Sequence, residues 1–139
     1  MLAEDVLIDA IIETRQQIDF LWQFFMTVQI AVFALIVLYD EAVEKLSLAA
    51  RALAIFAIAL FDYINGNALR QTYRLLDSMM DQYRVLYGQV DRFQPQFYEQ
   101  FVMASFADRP GIVLVTHGLA LSVVAIALVV NRLMHRGRR

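Results

Sequence analysis

Side chains able to do chemistry are few in this sequence, and most of them stand where chemistry is costly. Asp19, Gln23 and Thr27 recur every four residues and so share one face of any helix that carries them. Asp62 and Asn65 form a second group, and Thr116 and His117 a third, each inside or beside a long apolar stretch. A carboxylate and an imidazole brought together make a charge-assisted pair. The spacing predicts that the three groups lie at one depth, with Asp62 facing His117 and with Gln23 and Thr27 completing a hydrogen-bond network. Such a cluster holds a cation or a proton, takes the polar head of a lipid or quinone, or stitches helices together. His117 is also a candidate haem ligand, with Met26 or a second His117 opposite.

The usual signatures of enzymes are missing from the sequence. Asn65-Gly66-Asn67 lacks the spacing and the following lysine of a phosphate loop, and there is no paired-histidine zinc motif and no serine elbow. With no cysteine there is neither a thiolate metal site nor cysteine catalysis. The expectation is therefore no catalysis, no metal and no cofactor. Twelve basic against fourteen acidic residues leave a net charge of -2, which gives nucleic acid no electrostatic hold. The aromatic residues fall on helical seams and interfaces, where packing accounts for them.

The elements that must position these groups follow from the apolar content. In 139 residues, 60% are hydrophobic and the mean hydropathy is +0.52. A water-soluble chain this small could not bury so much apolar surface. The sequence predicts an all-α integral membrane helical bundle with three transmembrane helices, because only helices or closed barrels satisfy the backbone in hydrocarbon. A bilayer core needs about 20 apolar residues per helix. Three stretches meet that need: residues 20–39, residues 46–64, with Arg51 snorkelling from near one end, and a third span opening the stretch 111–134.

Two of these helices continue beyond their spans. A heptad seam runs through Leu7, Ile11, Thr14, Ile18, Leu21, Phe25, Val28, Val32 and Leu35, and another through Leu69, Tyr73, Leu76, Met80, Tyr83, Tyr87 and Val90. They predict long helices over 1–39 and 46–92, whose parts outside the spans, including 66–92, pair as an antiparallel extramembrane stalk. Pro95 ends the second. Residues 96–108 follow as a short amphipathic helix in the membrane interface, with Phe97 and Phe101 on one face.

Small residues point to partners. Ala50, Ala54 and Ala57 share a face of the second span, and Gly118, Ser122 and Ala125 one of the third, where helix backbones approach closely. Arg132, His135, Arg136, Arg138 and Arg139 form a basic tail suited to anionic lipid. Basic residues are dense beside the membrane on the tail's side, which predicts an outer N-terminus and a cytoplasmic C-terminus in a plasma or bacterial inner membrane. A cleavable leader is not expected, since acidic residues occupy the start.

The expectation is a small membrane protein that works by assembly, as a homo-oligomer or as an accessory or scaffold subunit of a larger complex. The alternative is an oligomeric ion channel or proton pathway, with a redox subunit behind it. In layout alone, three spans with an outer N-terminus and a basic inner tail, the chain is similar to phage holins. That resemblance implies a pore, covers no motif, and leaves the long stalk unmatched.

Overall fold

In the computed structural model, which describes residues 3–136, every element is helical, and there is no strand among the described residues. Helix α1 is Glu4–Leu38, α2 is Asp40–Glu44 and α3 is Leu48–Tyr87. A 3-10 turn at Val90–Arg92 leads into α4, Pro95–Phe97, and α5 is Arg109–Arg136. Three of these helices, α1, α3 and α5, are long and apolar enough to cross a membrane. Only 17%, 17% and 22% of their most apolar windows are buried within the chain.

Local chemistry sets the helix ends. Ser47 caps α3, its Oγ accepting from the Ala50 amide at 3.1 Å. Pro110 stands in the first turn of α5, where a missing N–H costs nothing. The second long helix stops at Tyr87, short of the expected residue 92, because Gly88 departs from helical geometry. A Cβ on Gly88 would lie 2.5 Å from the Arg84 carbonyl oxygen, so only glycine fits there. Beyond Pro95 the expected continuous helix over 96–108 is broken. A π-helical turn at Tyr98–Val102 follows α4, and irregular chain begins at Ala104.

The chain divides into two compact units. The first comprises Met1–Leu21 and Ala68–Val113. Its core takes in much of the expected seam, with Leu7, Ile11, Ile18, Leu69, Leu76, Met80 and Tyr83 buried, whereas Tyr73 and Tyr87 are half-buried and Val90, beyond the end of α3, is 61% exposed. Glu4 meets Tyr83, whereas Ile18 shares a pocket with Tyr73 and Leu76, so the α1 and α3 segments run antiparallel. Val102 is fully buried, and the ring of Phe101 packs edge-on to Tyr83 at 5.9 Å. Phe97 and Met103 stay exposed.

The second unit comprises Trp22–Asn67 and Leu114–Arg139. Ile36, Val124 and Leu128 make a small apolar core, joined by Val32, Ala54 and Ile58. The seam of α1 shifts here: Leu35 is 56% exposed while Ile36 is buried. A straight helix repeats every 3.6 residues and drifts by about 20° per heptad against a strict seven-residue repeat. By Phe25 the drift has accumulated enough that Gln29, half-buried like Val28, reaches α3, and Ile36 takes the inward place expected of Leu35.

Candidate functional site

The polar side chains of the second unit form three stations. At the first, Arg51 is 4% exposed, and its guanidinium turns back onto backbone carbonyls. Nε donates to Leu46 at 3.3 Å, Nη2 to Val43 at 2.8 Å and to Glu44 at 3.1 Å, and Nη1 to Leu128. Snorkelling toward water is therefore not what this arginine does. The last carbonyls of a helix run short of backbone donors, and although Val43 O also accepts from the Leu46 amide at 3.2 Å, a planar fork of donors reaches several carbonyls of α2 and the turn at once.

At the second station Gln29 on α1 donates from Nε2 to Asp62 Oδ1 on α3 at 2.6 Å. Asp62 is 4% exposed. At the third, His117 Nε2 and Asn65 Oδ1 are 2.9 Å apart. The imidazole stacks on Phe25 with centroids 3.9 Å apart and tilts against Trp22 at 5.7 Å. Gly66 makes room for it, since a Cβ there would lie 3.2 Å from His117 Cδ2.

The expected cluster is thus regrouped. Asp62 pairs with Gln29 and His117 with Asn65, in place of the expected pairing of Asp62 with His117. Thr116 is half-buried on α5. Asp19, Gln23 and Thr27 lie exposed, and Thr27 Oγ1 donates to the Gln23 carbonyl of its own helix at 2.8 Å. Their four-residue spacing is real, but it follows a stripe outside the seam. Gln29 escaped sequence reasoning because a strict heptad puts Val28 inward; a 3.6-residue repeat taken onward from Phe25 finds it. For the haem reading, the ring nitrogen Nε2 is the atom engaged by Asn65, and Met26 is 49% exposed. Among the described residues no group of three or more His, Cys, Asp or Glu is placed to hold a metal ion.

Of the small residues, Ala54 packs into the core beside Ile36, Ala50 and Ala125 are half-buried, and Ala57, Gly118 and Ser122 are exposed. The side chains of Arg132, His135, Arg136, Arg138 and Arg139 lie outside the described residues.

The first unit keeps its charges. Glu4 accepts from Arg92 Nη2 at 2.8 Å and from the buried Tyr83 hydroxyl at 3.1 Å. The Arg92 bond holds the Glu4 carboxyl below its ordinary range, burial pushes the Tyr83 phenol up, and Glu4 raises Arg92. Arg15 stands over the rings of Phe101 and Phe106, 5.4 and 5.3 Å from their centroids. Asp77 Oδ1 accepts from the Phe106 amide at 2.7 Å and ties the irregular segment to α3. Sequence periodicity carried no sign of these contacts, which join positions far apart in the chain.

Set against protein-family models, curated proteins and solved structures, the chain matches none of them. The roles of these residues rest on their own geometry.

Proposed function

We propose that this is a small integral membrane protein that works by assembly, as a homo-oligomer or as an accessory subunit holding a larger membrane complex. The contrast between two glycines carries the reading. Gly66 is filled from within the chain by His117, whereas a Cβ on Gly118 would meet nothing within 4 Å. An interior helical glycine costs about 1 kcal/mol against alanine, and a lipid-facing one gains nothing in return unless another helix approaches. One turn away Ser122 is exposed too, its hydroxyl already satisfied by the Gly118 carbonyl at 2.7 Å. The pair leaves a smooth small-residue surface fit for a second backbone.

In this reading the second unit lies in the bilayer, with the N-terminus outside and the C-terminus cytoplasmic. The α1 and α3 segments of the first unit form the outer stalk, and exposed Phe97 and Met103 dip into the interface. A channel lined within one chain has less support, because Asp19, Gln23 and Thr27 are exposed and none of them joins the buried pairs.

Native mass measurement after gentle extraction tests the proposal. The expected result is a discrete oligomer or a fixed set of co-purifying membrane subunits, with Gly118→Leu and Ser122→Leu shifting the particle toward the single chain. A stable, monodisperse monomer with no partner overturns it.

A further inference from the structure

Two oxygen atoms of the Gln29 and Asp62 side chains are left over once their hydrogen bond is drawn. Gln29 Oε1 and Asp62 Oδ2 are both buried, and neither has a hydrogen-bond partner. Both are acceptors when the carboxyl is ionised, so that form leaves two buried acceptors without a donor. A buried charge also demands an opposite one. The neighbouring elements do not supply it. From Trp22 to Leu38, α1 has no charged residue, and from Leu114 to Val130 the one titratable side chain of α5 is His117, whose Nε2 is engaged by Asn65. On α3 itself Tyr63 is 71% exposed, Arg70 lies eight residues away, about 12 Å along the axis, and Arg51 eleven residues away in the other direction, about 16 Å. The Arg51 guanidinium is committed to carbonyls, and Asp40, Glu41, Glu44 and Lys45 belong to the turn at that same end of α3.

We propose that Gln29 and Asp62 form a proton-binding site. Asp62 holds one proton from solvent as a neutral carboxylic acid, and its Oδ2–H donates to Gln29 Oε1 while Gln29 Nε2–H donates to Asp62 Oδ1. An acid and a primary amide each offer one donor and one acceptor in a plane, so the two close a ring with two parallel hydrogen bonds. One proton thus removes the unpaired charge and supplies the missing donor for both leftover oxygens. Release of that proton returns a carboxylate to the apolar unit and breaks one of the two links between α1 and α3.

Infrared spectroscopy of the full chain in liposomes tests this directly. At neutral pH the wild type should show the carbonyl stretch of a neutral carboxylic acid, lost in Asp62→Asn and kept in Asp19→Asn. Gln29→Leu should keep the band but move it to the position of an acid without its amide partner. Asp62→Asn preserves one donor and one acceptor, so it should fold and flatten the pH dependence of thermal stability on the alkaline side. No acid band in the wild type, a band that vanishes when sodium replaces potassium, or a band unmoved by Gln29→Leu would each overturn the site. None of these readings depends on oligomeric state, so they fail or succeed separately from the assembly proposal.

Discussion

The two compact units handle polar groups in opposite ways. Met1–Leu21 with Ala68–Val113 sets charges against partners near its surface, Glu4 with Arg92 and Arg15 with two aromatic faces. Trp22–Asn67 with Leu114–Arg139 buries its polar groups, setting Asp62 on an amide, His117 on an amide and Arg51 on carbonyls. Exposed ion pairs tolerate water and cost little to break. Buried polar contacts have no water to replace them, so each missing partner costs its full desolvation. The same residue types therefore carry very different weight in the two units.

Arg51 gives the hardest test of that difference. Arg51→Met would strip the charged donors from the carbonyls of Val43, Glu44 and Leu46 together and should destabilise the fold by about 3 kcal/mol, since bonds from a charged donor are worth about 1.5 to 3 kcal/mol each. Reversible unfolding in detergent or bilayer reads it. Arg51→Lys should recover only part of the loss, because one ammonium cannot reproduce the fork. A loss well under 1 kcal/mol for Arg51→Met would mean that water reaches these carbonyls, and the contrast between the units would collapse.

A matched pair of truncations comes next. Leu76 is fully buried in the first unit and Leu128 is 4% exposed in the second. Leu76→Ala should cost about 3 kcal/mol, the transfer free energy plus a cavity. Leu128→Ala should cost about 1 to 2 kcal/mol if lipid is the outer solvent, because lipid tails are as apolar as the core and only packing is lost. Equal losses from the two variants would say that both units fold against water.

How much of this was legible in the sequence depends on the range over which each feature is encoded. The three apolar helices were, because length and hydropathy are local quantities. So was the seam of the first unit, where Leu7, Ile11 and Ile18 on α1 and Leu76, Met80 and Tyr83 on α3 are all buried as the repeat requires. The seam failed beyond Phe25, where seven-residue counting and a straight helix part company, and that change of phase hid Gln29; Gln23 and Thr27 were singled out by their four-residue spacing with Asp19, which lies outside the seam. Arg51 was legible as an anomaly but not as a cap, since its acceptors come from the turn before it and from α5, 77 residues further on. The break after Val102 was hidden for a similar reason. Val102 and Phe101 pack within the first unit, so an amphipathic pattern that reads as an interfacial helix serves in part as a cover for the unit's own core.

The smallest effect belongs to the group of Glu4, Arg92 and the buried Tyr83, and its pH dependence has a definite sign. Glu4 titrates lower in the folded chain than in the unfolded one, chiefly through the Arg92 hydrogen bond. Its contribution is then fully present above the ordinary glutamate range, about 4.3, and fades as pH falls through the lowered folded value. Tyr83 titrates higher when folded, first by burial and then by the Glu4 bond. Its contribution is present below the ordinary tyrosine range, about 10, and fades as pH rises through the raised folded value. Glu4→Gln should flatten the acid limb of the thermal midpoint and pull the alkaline limb back toward the ordinary tyrosine range, with the acid effect shrinking in high salt. Arg92→Gln should flatten the acid limb and move the alkaline limb slightly further up, because the Tyr83 hydroxyl still donates to Glu4 while a charge that lowers Tyr83 is gone. An acid limb that survives both substitutions would place its origin in other carboxylates and leave the surface pair without a measurable role, which is the outcome that would separate the two units most sharply.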